Sequence, residues 1–303
     1  MPLLITFIGQ LGGVAATHEL LANGFASREL TIAVRAGEVI RARQGWYLPA
    51  DSREDVVRAI RVGGRLASVS AAATYGLAVP HAFPLHVHVP HRDSRLRTES
   101  DPKVHLGDEP GATTVIHRGR LEKPAPKSRL RVSLIDSLAQ VTRTESNSDA
   151  VACLDSALHL GLVAPSAMND LFCALPERVK HLESQLDGKS DGYPESVTRC
   201  LLLQSGIVAQ TQVSVLGERW IDLLIGDRLA LEIDGAGKYT QDMTPAEVAR
   251  RMNADRVRDA FLEALGYHDH PPQLPDDRFR LAGHSRNDSG RHGSRRPPRT
   301  ALT

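Results

Sequence analysis

Three acidic side chains stand where acids are out of place. Asp222 interrupts the apolar run of ERWIDLLI, and Glu232 and Asp234 interrupt LALEIDG. Strands deplete Asp and Glu, so each needs a reason. A period of two puts Glu232 and Asp234 on one face of a strand, with Leu229, Leu231 and Ile233 on the other. A two-residue loop at Gly226-Asp227 pairs Ile225 with Arg228 and sets Asp222 opposite Leu231. A three-residue loop over 226–228 pairs Ile225 with Leu229 and sets Asp222 opposite Glu232. Only the second gathers the carboxylates and keeps both apolar faces consistent, which favours it. Gathered carboxylates repel unless a divalent cation or a proton neutralises them. Oxygen-only ligands suit Mg²⁺ or Mn²⁺, with Asp222 and Glu232 as the candidate metal ligands.

The elements that must position them follow from local signals. YPESVTRCLLLQSG reads as a helix, with Pro194 in its first turn, Glu195 at its positive end and Gly206 at its stop. QTQVSVL reads as a strand, followed by two more around the Gly226-Asp227 turn. Thr244 to Glu247 (TPAE) reads as a capping box opening a helix to about 265 that contains NADRVRD. These pieces make one α/β unit over 194–268.

A second set of residues has a different chemistry. Thr17 can cap a helix over 17–23, with Gly24 just past its end. Ser27 can cap another over 27–36, stopped by Gly37. Leu30, Ala33 and Val34 fall on the core face of that helix, and Arg28, Thr31, Ile32 and Arg35 face outward. VIRARQGWYLP follows as a hairpin around Gln44-Gly45. Helix, helix and basic hairpin is a winged helix-turn-helix order. It would put Arg28 and Arg35 on the recognition helix and Arg41 and Arg43 on the wing, where arginines meet phosphates and guanine edges. A helical cap with solvated arginines, or a protein-docking winged helix, fits the same pattern.

The whole chain bounds these readings. It has 303 residues, with 37 Lys+Arg nearly balancing 36 Asp+Glu, so it is no polycation and any nucleic-acid contact is a local patch. Aromatics at 4 % argue against base stacking as the main grip. Hydrophobic residues at 41 % mark a globular chain. Cys153, Cys173 and Cys200 form no CxxC and read as free core thiols in a reducing cytoplasm. The apolar opening lacks a basic n-region, so no signal peptide is expected, and no segment is long enough to span a membrane. GQLGG does not match a nucleotide-binding glycine loop. The histidines of PHAFPLHVHVPH (His81, His86, His88, His91) read as a solvated strand face with Leu85, Val87 and Val89 inward, or as a metal site.

The resulting organisation is α+β and multidomain: a winged helix-turn-helix over 1–50, a mixed α/β middle domain over 54–183, a Gly/Asp/Ser linker over 186–193, and the α/β unit over 194–268. The tail over 269–303 has no apolar period and reads as disordered.

GGVAATHELLANGFASRELTIAVRAGEVIRARQGWYLP resembles the N-terminal winged helix of AbiE-type abortive-infection antitoxins. SVSAAATYGLAVP, VSLIDSLAQV and LDSALHLGLV extend that resemblance to about residue 180. It implies a DNA-binding repressor of its own promoter within a toxin-antitoxin system, and a cognate toxin as protein partner.

The C-terminal unit resembles the family similar to very-short-patch-repair endonucleases, which have a restriction-endonuclease-like fold. Its ordered motifs read here as Glu195-Ser196, Gly206, Gln212, Arg219-Trp220-Ile221-Asp222, Glu232-Ile233-Asp234-Gly235 and Asp255-Arg256-Val257-Arg258-Asp259. Two departures stand out. Asp234 occupies the usual lysine position, as in this branch, and shortly after the Asp-Gly, where branch members often carry a histidine, this chain offers Lys238, Tyr239 and Thr240. Gly266-Tyr267 is followed by HDHPPQLPDDRFR, which cannot form the family's next strand because prolines break the ladder. The resemblance implies metal-assisted phosphodiester hydrolysis on DNA. Asp222 and Glu232 would hold Mg²⁺ or Mn²⁺, Asp234 or Lys238 would orient or deprotonate water, and Glu195 would support them. Arg256 and Arg258 would hold phosphates. A folded but inert acid cluster, in a non-enzymatic repressor, is the alternative.

Overall fold

The computed structural model describes residues 2–91, 93–109, 111, 113–121, 128–190, 192–215, 219–233 and 267. Their fold is α+β. The chain opens with α1 (Pro2–Gln10), β1 (Ala15–Ala16), α2 (Thr17–Ala22), α3 (Ser27–Arg35), β2 (Val39–Arg43) and β3 (Trp46–Pro49). The strands form an antiparallel sheet in the order β1-β3-β2. Both short helices begin one residue earlier than the Thr17 and Ser27 caps predict. Ala16 and Ala26 are the N-caps, because Glu19 and Glu29 in the third helical position reach back and accept their N–H groups at 2.8 and 2.7 Å. As expected, α3 buries Leu30 and Ala33, against Ile8, Leu20, Val39 and Tyr47. Gly45 takes φ +84° at the hairpin turn. The β2–β3 register shifts between Arg41 and Arg43, a bulge that sends Ala42 into the next core and turns Arg43 toward the middle of the protein.

The middle comprises α4 (Glu54–Val62), β4 (Arg65–Leu66), α5 (Ser68–Thr74), β5 (His86–His88), β6 (Val115–His117), α6 (Leu134–Thr144), α7 (Asn147–His159), α8 (Pro165–Ala174) and α9 (Glu177–Lys180). β5 is central in a three-stranded sheet, antiparallel to β4 and parallel to β6. Gly64, just before β4, has no room for a side chain: a Cβ there would lie 2.2 Å from the His88 carbonyl oxygen. Ser133 and Ser146 cap α6 and α7 by accepting the N–H groups of Asp136 and Asp149.

Next come α10 (Tyr193–Gln204), β7 (Ala209–Val215), β8 (Arg219–Ile225) and β9 (Leu229–Leu231), with all pairings antiparallel in the order β7-β8-β9. The stretch read as a linker is instead a packed seam. Asp187 N–H donates to Asp155 of α7 at 2.7 Å, the Asp187 carboxylate accepts the Thr211 hydroxyl of β7, and Ser190 is buried. Cys200 of α10 belongs to the same apolar core as Val151, Leu154 and Phe172. Composition suggests solvent because Gly, Ser and Asp are turn formers, but the carboxylates and hydroxyls here satisfy buried partners. Cys153 and Cys200 are buried, whereas Cys173 is exposed, at odds with its reading as a core thiol. Among the described residues no helix is long and apolar enough to cross a membrane. The expected helix from Thr244 and the tail over 269–303 lie outside the described residues.

Candidate functional site

Two places in the fold hold the candidate residues. The first is a groove of about 800 Å³ between the β2–β3 hairpin and a second hairpin-like loop. Arg41, Arg43 and Gln44 line it from one side, and Arg95, Arg97, Pro102 and Lys103 from the other. The second loop is narrow and braced. Thr98 N–H donates to Val104 O and Leu106 N–H to Leu96 O, while the buried Leu96 side chain anchors it in the middle core. Glu99 ties the loop to α4 through Arg58, at 2.6 Å, and through its own carbonyl to Arg61. Arg43 spans the two sides, donating from Nη2 to the Arg95 carbonyl at 3.3 Å. Burial, then the charge of Arg97, lowers the Arg43 pKa, an effect an anion would relieve. Among the described residues no Asp or Glu lines the groove.

Arg28 and Arg35 are exposed on α3, outside that lining. The sequence reading missed Arg95, Arg97 and Lys103. A signal was present: Arg95 and Arg97 flank the inward Leu96 at a spacing of two.

The second place is the C-terminal sheet. Ile225 pairs with Leu229, Leu224 with Ala230 and Leu223 with Leu231. That is the three-residue loop over 226–228; the ladder ends at Leu223–Leu231, and past it the Asp222 side chain meets the backbone just after Glu232. Asp222 Oδ2 accepts the Ile233 N–H at 2.8 Å. Gln212 Nε2 donates to Glu195 Oε2 at 3.2 Å and lies 3.4 Å from Asp222 Oδ1, so one amide links the helix acid to the strand acid. Gln212 has φ +50° in the middle of β7, and the ladder skips it: Thr211 pairs with Leu223 and Val213 with Ile221. A non-glycine residue in that region costs on the order of 1–3 kcal/mol, and such strain clusters where a side chain must be aimed. Asp222, Glu195 and Glu232 offer hard oxygens only, a donor set of the Mg²⁺ or Mn²⁺ type. Among the described residues no group of three His, Cys, Asp or Glu side chains is arranged to hold a metal ion. Asp234, Lys238, Arg256 and Arg258 lie outside the described residues.

The histidines depart from expectation. Leu85, Val87 and Val89 do point inward, but His86 and His88 are buried too, at 3 % and 6 % exposure. β5 is a central strand, and α5 and α6 cover its other face. His86 Nδ1 lies 3.0 Å from His117 Nε2 and 3.5 Å from Glu145 Oε1, and Gln140 Nε2 lies 3.3 Å from His88 Nδ1. Burial lowers all three histidine pKa values, His117 to about 4 with the help of His86 and His88. These rings are neutral hydrogen-bonding pieces of the core at neutral pH. His81 and His91 are exposed, and among the described residues they join no metal-type cluster.

Compared with known proteins, the chain matches no family model and no curated protein.

Proposed function

We propose that the protein binds DNA, gripping backbone phosphates with the groove between the β2–β3 hairpin and the 96–106 loop. The observation that carries this reading is five cations, Arg41, Arg43, Arg95, Arg97 and Lys103, facing one groove with no described acid among them. Phosphate contacts of this kind supply sequence-independent affinity and orient a protein on the duplex. The first unit is then a winged helix-turn-helix, supported by its element order, its β1-β3-β2 sheet and its basic hairpin. α3 would read base edges with Arg28 and Arg35. The resemblance to AbiE-type antitoxins supports a promoter-bound repressor with a toxin as protein partner.

The test is DNA affinity against salt for wild type, Arg41→Ala, Arg97→Ala and Lys103→Ala. Each lost phosphate contact should reduce the slope of log affinity on log salt by roughly 0.9. Slopes equal to wild type in all three variants would overturn the reading.

A second activity, phosphodiester hydrolysis by a restriction-endonuclease-like unit over 194–268, is favoured by the strained Gln212 that holds Glu195 and Asp222 together. Asp222 and Glu232 would hold Mg²⁺ or Mn²⁺, which supplies an activated water and charge stabilisation on the phosphate. Plasmid nicking with either ion, by wild type but not by Asp222→Ala, is the expected result. Absence of nicking in wild type would reduce the unit to an inert fold on a non-enzymatic repressor.

A further inference from the structure

Next to the basic groove, and sharing Arg43 with it, lies a pocket of about 430 Å³, where the first sheet meets the end of α4 and the start of β4. Its volume falls within the roughly 300–1,000 Å³ typical of small-ligand sites. Six of its lining residues are Arg43, Arg65, Arg129, Glu19, Asp93 and His88. Their charges do not cancel. Both oxygens of Glu19 are taken up by Arg129, at 2.7 and 2.8 Å, so those two form a neutral pair. His88 is uncharged near neutral pH because burial lowers its pKa. Asp93 partly offsets Arg43. Arg65 is left over. Its guanidinium is half-buried and finds no acceptor among the described residues. Burial, and then the charge of Arg129, lowers its pKa.

That guanidinium donates to no described residue, and none of its nitrogens is sealed from solvent, so its N–H groups are available to an acceptor that enters the pocket. An anion in the pocket would be such an acceptor. Arg43 packs directly over Gly63, which has φ +117°: a Cβ there would lie 2.1 Å from Arg43 Nη1, so the glycine makes room for that guanidinium in the pocket. Trp46 and Ile60 also line it. The lining therefore offers planar guanidinium forks to a dianionic headgroup and apolar surface to a flat or apolar body.

We propose that this pocket binds a small phosphate-bearing organic molecule, its phosphate held by Arg65 and Arg43 and its body against Trp46 and Ile60. The chemistry recognised is a phosphate ester, and it could come from a free metabolite-sized ligand or from DNA itself. Because the pocket and the groove share Arg43, the two sources are separated by experiment, with DNA in an arm of its own.

The experiment titrates the full chain, with no DNA present, with inorganic phosphate, a nucleoside 5′-monophosphate and the same nucleoside without phosphate. Duplex DNA is run as a separate arm. The monophosphate should bind saturably, inorganic phosphate more weakly and the nucleoside not at all. Arg65→Gln should weaken the monophosphate about tenfold or more, as expected for losing a charge-assisted bidentate contact. Arg65→Lys, which keeps the charge without the fork, should fall between and guards against a folding defect in the first variant. Wild type that binds DNA but neither phosphate nor monophosphate would overturn the proposal while leaving the DNA reading intact. Equal monophosphate binding by wild type and both variants would overturn it too.

Discussion

Asp155 on α7 and Arg199 on α10 meet at 2.7 Å, with the Asp155 side chain wholly buried and that of Arg199 nearly so. The same carboxylate also accepts the Asp187 N–H at 2.7 Å and the Ser196 hydroxyl at 2.8 Å. One buried acid thus collects donors from the seam and from α10. Asp155→Ala removes the acceptor and strands the guanidinium, a change that costs about 3–5 kcal/mol when a buried pair is broken. Urea unfolding of the variant should read a loss of that order. A loss under about 1 kcal/mol would show that the seam contributes little.

The buried histidines set a direction for pH. The His117 pKa falls from 6.5 to about 4 in the folded chain, through burial first and then His86 and His88. Between those values the unfolded chain binds more protons, so stability rises with pH. The His117 contribution is full above about 6.5, is lost as pH falls toward about 4, and is absent below that. His86 and His88 shift the same way and steepen the effect. Thermal melts at pH 7 and pH 5 should differ more for wild type than for His117→Asn, which cannot take up the proton. Equal differences would show that carboxylates alone drive acid sensitivity.

Asp222 should make the fold respond to divalent ions. If Mg²⁺ or Mn²⁺ binds only the native carboxylates, stability rises as RT ln(1 + [L]/Kd), about 2.7 kcal/mol at a hundredfold excess over Kd. Asp222→Asn should abolish that gain and raise metal-free stability by removing one of the like charges gathered around Gln212. The melting temperature with and without ion checks both. An undiminished metal-dependent gain in Asp222→Asn would place the ion elsewhere.

Gly64 should tolerate no side chain. A Cβ would fall 2.2 Å from the His88 carbonyl oxygen and 2.6 Å from Val87 Cγ1, both on the central strand β5. Backbone there has nowhere to move, so Gly64→Ala should lose roughly 1–3 kcal/mol. Denaturant titration would measure it, and a stability within about 0.5 kcal/mol of wild type would mean that β4 can slide on β5.

What could be read in the sequence was local. The Ile225–Leu229 turn followed from keeping apolar residues on one face, and the α3 core face from the spacing of Leu30 and Ala33. Caps were displaced by one residue because Glu19 and Glu29 compete with Thr17 and Ser27 for the same helix ends. The burial of His86 and His88 was not legible: it depends on His117, which arrives on a parallel strand some 30 residues later. The basic groove was half legible for the same reason. Arg41 and Arg43 sit in an obvious hairpin, whereas Arg95, Arg97 and Lys103 join them only through the tertiary anchoring of Leu96. The packed seam over 186–190 hid behind turn-forming residue types whose partners lie on α7 and β7.

The Asp155–Arg199 pair also fixes an order of assembly. The two residues are 44 positions apart. At roughly 5–20 residues synthesised per second, Asp155 is made about 2 to 9 s before its partner. During that interval α7 can reach its final packing only by burying a carboxylate whose counter-charge has not been made. The middle core therefore stays incomplete until α10 has been translated, and a nascent chain halted before Arg199 would present that core unfinished to chaperones and proteases.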